Sequence, residues 1–163
     1  MKWSKQFIRF VIIFLLQILL INNLHISGLC HPYLYLVCLL IMPITLPNWA
    51  ELIIGALVGL LMDAFCNSPG VHMAACTLVM LIRPYIIKSM VADSERLTDE
   101  IDLSVMSTIS FGIYASVLIL VHHIMVFVLT NWFHGLFFTL GQIVISSIIT
   151  LGLVFSYLMI QKK

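Results

Sequence analysis

Charge is what this sequence has least of. Only 9% of its 163 residues are charged, against 62% hydrophobic. A soluble domain carries roughly 25% charged and about 45–50% apolar residues, so this chain cannot cover a water-facing surface. Disorder is excluded too, because it requires low hydrophobicity and high net charge. No basic patch suited to nucleic acid is present, and no glycine-rich phosphate loop, Cys-x-x-Cys or His-Glu-x-x-His motif. No stretch is long and polar enough for a soluble domain; the longest runs from about Lys88 to Asp102. A nucleophile elbow is missing, and Asp63 is the single aspartate within an apolar segment. These absences point away from an enzyme and from any cofactor.

What remains is apolar sequence, with a mean hydropathy of +1.14. The reading is an all-α integral membrane protein. A bilayer core of about 30 Å needs about 20 apolar helical residues. Six segments are expected to span, over residues 7–26, 32–46, 48–65, 71–90, 103–129 and 135–160. The second and third are short, with Pro43 and Pro47 interrupting them. They read as two short spans, with a re-entrant hairpin as the alternative. Asn48 is the expected N-cap of the third, and Trp49 and Trp132 are interface anchors. Lys2, Lys5 and Arg9 precede an apolar run as in a signal peptide, but Ile21-Asn22-Asn23-Leu24-His25 offers no small-residue cleavage site. A retained first helix is expected.

Six spans put all eight Lys and Arg on one side: Lys2, Lys5, Arg9, Arg83, Lys88, Arg96, Lys162 and Lys163. The positive-inside rule then places both termini in the cytoplasm. Cys30 and Cys66 fall near the opposite surface, where a disulfide between them stays open if that side is oxidising.

The most ordered pattern lies in the third segment. Glu51, Gly55, Gly59 and Asp63 recur every fourth residue and so share a helical face. Gly55-x-x-x-Gly59 admits a close helix neighbour. A turn centred near Asn67 leaves Glu51 and Arg83 each sixteen residues away, at equal depth, where an ion pair is expected. Asp63 and His72 sit near-equidistant at the turn end and are expected to hydrogen-bond. In the fifth segment Ser104, Thr108, Gly112 and Ser116 form a second small stripe, expected to pack on a helix of this chain or of a partner. The six histidines are spread over four regions, so no metal site is expected. His122 and His123 are adjacent and should face apart. With Asp63 and His72 they are candidates to line an outward pocket.

Leu46-Pro47-Asn48-Trp49, Gly55-x-x-x-Gly59-x-x-x-Asp63, then Gly70 with Ala74-Ala75, resemble the MreD family of bacterial rod shape-determining membrane proteins. The detailed match covers about forty residues, and the rest agrees in hydropathy. Asn67, Ser68 and Pro69 depart from the family's glycine-rich turn, although Asn tolerates left-handed geometry. The resemblance implies a six-helix fold similar to the substrate-binding subunits of energy-coupling factor transporters. It implies a non-enzymatic scaffold in the bacterial cytoplasmic membrane, acting in cell shape and peptidoglycan synthesis. The implied partners are the lipid bilayer, an MreC-like protein, the MreB-linked complex and a peptidoglycan polymerase–transpeptidase pair. Gly55, Gly59, Asp63 and Gly70 are then the first candidates for helix packing or partner binding, and the acidic loop Lys88–Asp102 for cytoplasmic contacts. The fold similarity keeps a second reading open, a small-molecule-binding subunit of a transporter. A channel or exporter is disfavoured by the sparse intramembrane charge.

Overall fold

The computed structural model describes residues 2–23, 28, 30–90, 106–131 and 135–161. His25, Trp132, His134, Ser104 and the acids between Asp93 and Asp102 lie outside these residues. Among the described residues the regular structure is helical: α1 (Lys2–Leu19), a 3-10 turn (Ile21–Asn23), α2 (Leu36–Leu40), α3 (Asn48–Cys66), α4 (Val71–Met90), α5 (Thr108–Thr130) and α6 (Leu136–Gln161). Four of them, α3 to α6, are long and apolar enough to cross a membrane, and a shorter apolar helix covers Phe7–Asn23.

Two expectations about the short spans need correcting. The third is not short: α3 has 19 residues, about 28 Å at 1.5 Å per residue. The second is barely a helix. Of residues 32–46 only the five of α2 are helical, about 7.5 Å. Pro43 and Pro47 cannot donate backbone hydrogen bonds, which stops helix propagation through this stretch. The start of α3 also differs by one residue. Pro47, extended at ψ 144°, is the N-cap and Asn48 the first helical residue. Ala50 and Glu51 donate their N–H groups to the Pro47 carbonyl.

Helices α3 to α6 pack in chain order, α3 on α4, α4 on α5 and α5 on α6. The α3–α4 contact is the tightest because it is glycine-lined. A Cβ on Gly59 would collide with the His72 carbonyl and lie 2.5 Å from Met73 Cα; one on Gly55 would lie 2.7 Å from Met80 Cγ. Asn67 closes the hairpin in the left-handed conformation at φ 53°, and Gly70 follows at φ +83°. The buried face of α5 carries Phe111, Tyr114, Leu118 and His122, and the irregular 31–46 segment lies against it. Helix α1 packs on that segment rather than broadly on α3.

Segment 31–46 runs the depth of the bundle. His31 and Tyr33 line a cavity at the end carrying Asn67, and Met42 and Leu46 line a crevice at the end carrying Trp49. Irregular residues reach about 3.3 Å each, so few helical turns are needed for the distance. The cost is unpaired backbone amides, and in a bilayer non-helical backbone is tolerated only where protein buries and satisfies it.

Candidate functional site: a polar network and an end cavity

Polar side chains from four helices supply those missing hydrogen bonds. Gln17 of α1, fully buried, accepts from Leu34 N–H at 2.6 Å and Tyr35 N–H at 3.4 Å, and donates to the Pro32 carbonyl at 3.1 Å. From α6, Ser146 Oγ accepts from His31 N–H at 2.9 Å and Thr150 Oγ1 from Tyr33 N–H at 3.0 Å. Tyr114 of α5 donates to the Leu40 carbonyl at 2.8 Å. Arg83 of α4 donates to the Met42 carbonyl. Segment 31–42 is therefore stitched into the bundle by Gln17, Arg83, Tyr114, Ser146 and Thr150. Sequence reasoning missed four of these. Their signal was a polar residue inside an apolar run, which in a membrane marks a group facing protein.

Arg83 and Glu51 form a buried ion pair. Arg83 Nε also donates to the Tyr114 hydroxyl at 3.1 Å. One guanidinium thus ties α3, α5 and the irregular segment together, and Arg83 is the largest fully buried side chain among the described residues. Equal distance from the turn places the two charges at one depth, and Asp63 lies at the other end of the hairpin.

At that end Asp63 caps α4. Its Oδ1 accepts from His72 N–H at 2.8 Å and from the Ser68 hydroxyl at 2.9 Å. Its Oδ2 accepts from Met73 N–H at 3.0 Å. A carboxylate on the first turn satisfies orphan donors and favours the helix dipole. His72 Nδ1 lies 3.0 Å from the same Oδ1. His72 Nε2 is buried with no hydrogen-bond partner.

Beside this cap opens a cavity of about 710 Å³, lined in part by Asn22, His31, Tyr33, Ser68, His72 and Gln142. Among the described residues no lysine or arginine lines it. Of the pocket candidates His72 lines the wall, while Asp63, His122 and His123 sit outside the lining. The two adjacent histidines do not face apart as expected. Both are fully buried, and the Tyr33 ring centre is 5.3 Å from each imidazole. Tyr33 packs at a helix position covered by protein on both sides, so a 100° turn between neighbours still leaves both rings against it. Tyr35 Oη lies 2.7 Å from His122 Nε2.

The α5 stripe is weaker than expected. A Cβ on Gly112 would meet only Phe155 of α6, at 3.4 Å, and Thr108 is exposed. Gly55 and Gly59 are covered by α4, so they pack a helix of this chain and present no face to a partner. Gly70 provides backbone conformation, since a Cβ there would touch nothing. All four cysteines are free; burial pushes the Cys30 thiol up from its ordinary value, which keeps it a weak nucleophile. Among the described residues no three His, Cys, Asp or Glu side chains are grouped to hold a metal. No family model, curated protein or solved structure matches the chain.

Proposed function

We propose that this chain is a non-enzymatic, six-pass scaffold of the bacterial cell-wall elongation complex, resembling MreD, with both termini in the cytoplasm. Segment 31–46 is then the second crossing, made mostly of irregular backbone, in a fold similar to the energy-coupling factor substrate-binding subunits. The observation that carries the reading is the division of labour in the α3–α4 hairpin. Gly55, Gly59 and Asp63, which carry the resemblance, are consumed in building the hairpin. What they hold in place is a polar cavity at the end free of Lys and Arg in the sequence, which positive-inside placement turns outward.

A cavity walled by Asn, His, Tyr and Gln suits side chains and backbone of a peptide just outside the bilayer. The proposed guest is the membrane-proximal part of an MreC-like protein. Through it the chain is linked to the MreB filament and to the peptidoglycan polymerase–transpeptidase pair, and so to cell shape. A second reading rests on the same cavity. Its volume falls within the roughly 300–1,000 Å³ of small-molecule sites, as a transporter subunit requires.

Affinity purification from the host in mild detergent separates the two. Thr130 is exposed on the cavity rim, so Thr130→Trp obstructs the opening without entering the core. The MreC-like protein is expected to co-purify with wild type and with lipid-facing Leu60→Ala, and to be lost with Thr130→Trp. Recovery of transport ATPases in its place favours the second reading. Equal recovery of the MreC-like protein with all three chains overturns the docking role of the cavity.

A further inference from the structure

Three helices end around the cavity beside Asn67. Its lining includes Ile18 and Leu19 at the close of α1, Phe65 and Cys66 at the close of α3, and Phe127 and Thr130 in the last turn of α5. A helix C-terminus carries about half a negative charge on its free carbonyls, and a basic side chain in the last turn commonly answers it. None of these three helices has a basic residue there. The groups that meet their carbonyls are neutral. Asn23 Nδ2 donates to Leu19 at 2.9 Å, Ser68 N–H to Asp63 at 3.2 Å and Asn131 N–H to Phe127 at 2.9 Å. Helix α4 starts at this end, but its His72 and Met73 N–H groups already meet the Asp63 carboxylate. The stretches that join the helices here, 20–30, 67–70 and 131–135, contain no Asp, Glu, Lys or Arg. The balance of charge at the cavity is therefore negative.

We propose that the cavity receives a cationic side chain, the ammonium of a lysine or the guanidinium of an arginine, from the peptide that docks there. The inference rests on the docking role given to the cavity above and names the chemistry of the guest. The hydroxyl hydrogens on the wall are spent inside the chain, Ser68 on Asp63 and Thr130 on the Val126 carbonyl, each at 2.9 Å. Their oxygens keep lone pairs for a guest that brings hydrogens. The rings of Tyr33, Phe65 and Phe127 line the same space, and aromatic faces attract organic cations. An anionic guest would meet three negative helix ends with no described lysine or arginine to pair with. A bare hard cation fits less well, because it is held by carboxylates and other oxygens closing around it. Among the described residues no Asp or Glu lines the cavity and no metal-holding group is assembled. A long basic side chain meets both demands, with its stem along the rings and its charged head at the oxygens.

The full chain in mild detergent, at low ionic strength and about pH 8 where histidine is ordinarily neutral, is offered four photoreactive peptides. They have the sequence Gly-Ser-Xaa-Ser-Gly, with Lys, Arg, norleucine or Glu as Xaa and a benzophenone at the amino end. Adducts are mapped by mass spectrometry. The Lys and Arg peptides should label residues 18–23, 65–68 and 126–131 about ten-fold more than the norleucine peptide, the upper effect of a cation at helix C-termini. The Glu peptide should label them least. Thr130→Lys sets an ammonium of the chain's own at the rim and should lower Lys-peptide labelling well below that of Thr130→Met, which adds similar bulk without charge. Leu60→Ala, exposed and outside the cavity lining, should leave it unchanged. Equal labelling by the four peptides, a preference for Glu, or equal loss in the two Thr130 variants would each overturn the proposal. Displacement of the Lys peptide by agmatine, a free organic cation, more effectively than by N-acetyl-lysine amide would overturn the peptide as source. Retention of the MreC-like protein by Thr130→Trp overturns the docking role itself; its loss together with equal labelling overturns the cationic guest alone.

Discussion

Gln17 makes more of the structure than its single place in an apolar run suggests. Its amide satisfies Pro32, Leu34 and Tyr35 together. Gln17→Leu keeps comparable bulk and leaves two N–H groups and a carbonyl buried without partners. Each such group costs about 1–3 kcal/mol, so a large drop in detergent melting temperature is expected. Gln142→Leu, on the cavity wall, should cost less; equal melting of the two variants would contradict the role given to Gln17. Arg83 gives a sharper contrast. Arg83→Met strands Glu51, and breaking a buried pair costs about 3–5 kcal/mol. The double variant with Glu51→Leu removes the stranded charge and should recover part of the loss, while the Tyr114 and Met42 contacts stay broken. A double variant less stable than Arg83→Met would argue against a stranded-charge penalty. The Glu51–Arg83 register was legible because it follows from counting residues to a turn. Gln17, Ser146 and Thr150 were not, because their partners are backbone groups of a segment whose irregularity no side-chain period announces.

Among the elements, the hairpin α3–α4 and the pair α5–α6 show what a small residue at spacing four does and does not imply. Both stripes look alike in sequence. Only the first brings backbones together, since a methyl on Gly59 runs into the first turn of α4 while one on Gly112 reaches the tip of a phenyl ring. Gly59→Ala should therefore cost about 1–3 kcal/mol through overpacking, and Gly112→Ala should be near neutral. Chemical or thermal unfolding of both in one detergent decides it, and the reverse ranking would remove the close approach from the account. The spans α3, α4, α5 and α6 were readable from hydropathy within a few residues. The stretch 32–46 was read as a span from hydropathy alone. Its prolines signalled interruption, but the extent of helix loss depended on acceptors and donors waiting on α1, α4, α5 and α6.

At the scale of the molecule the two openings lie at opposite ends, and their linings differ in kind. Among the described lining residues the Asn67 end offers amides, imidazoles and hydroxyls without Lys or Arg, and the Trp49 end offers apolar surface with Arg9. That asymmetry matches the positive residues in the sequence and makes orientation testable with two positions. Thr130 is exposed beside the cavity, and Ser89 is exposed near the end of α4 that carries Lys88. With Cys30, Cys38, Cys66 and Cys76 replaced by Ala, Thr130→Cys should react with a membrane-impermeant maleimide on intact spheroplasts. Ser89→Cys should react only after lysis. The reverse pattern would turn the cavity to the cytoplasm and with it remove an extracytoplasmic guest. Labelling of both from outside would break the odd number of crossings that α5 must supply between the two positions. Since α4 ends and α5 starts on one side in this topology, the label on Ser89→Cys also fixes the side of the acidic stretch between them. The chemistry expected of that stretch, contact with cytoplasmic components, therefore stands or falls on the same two reagents.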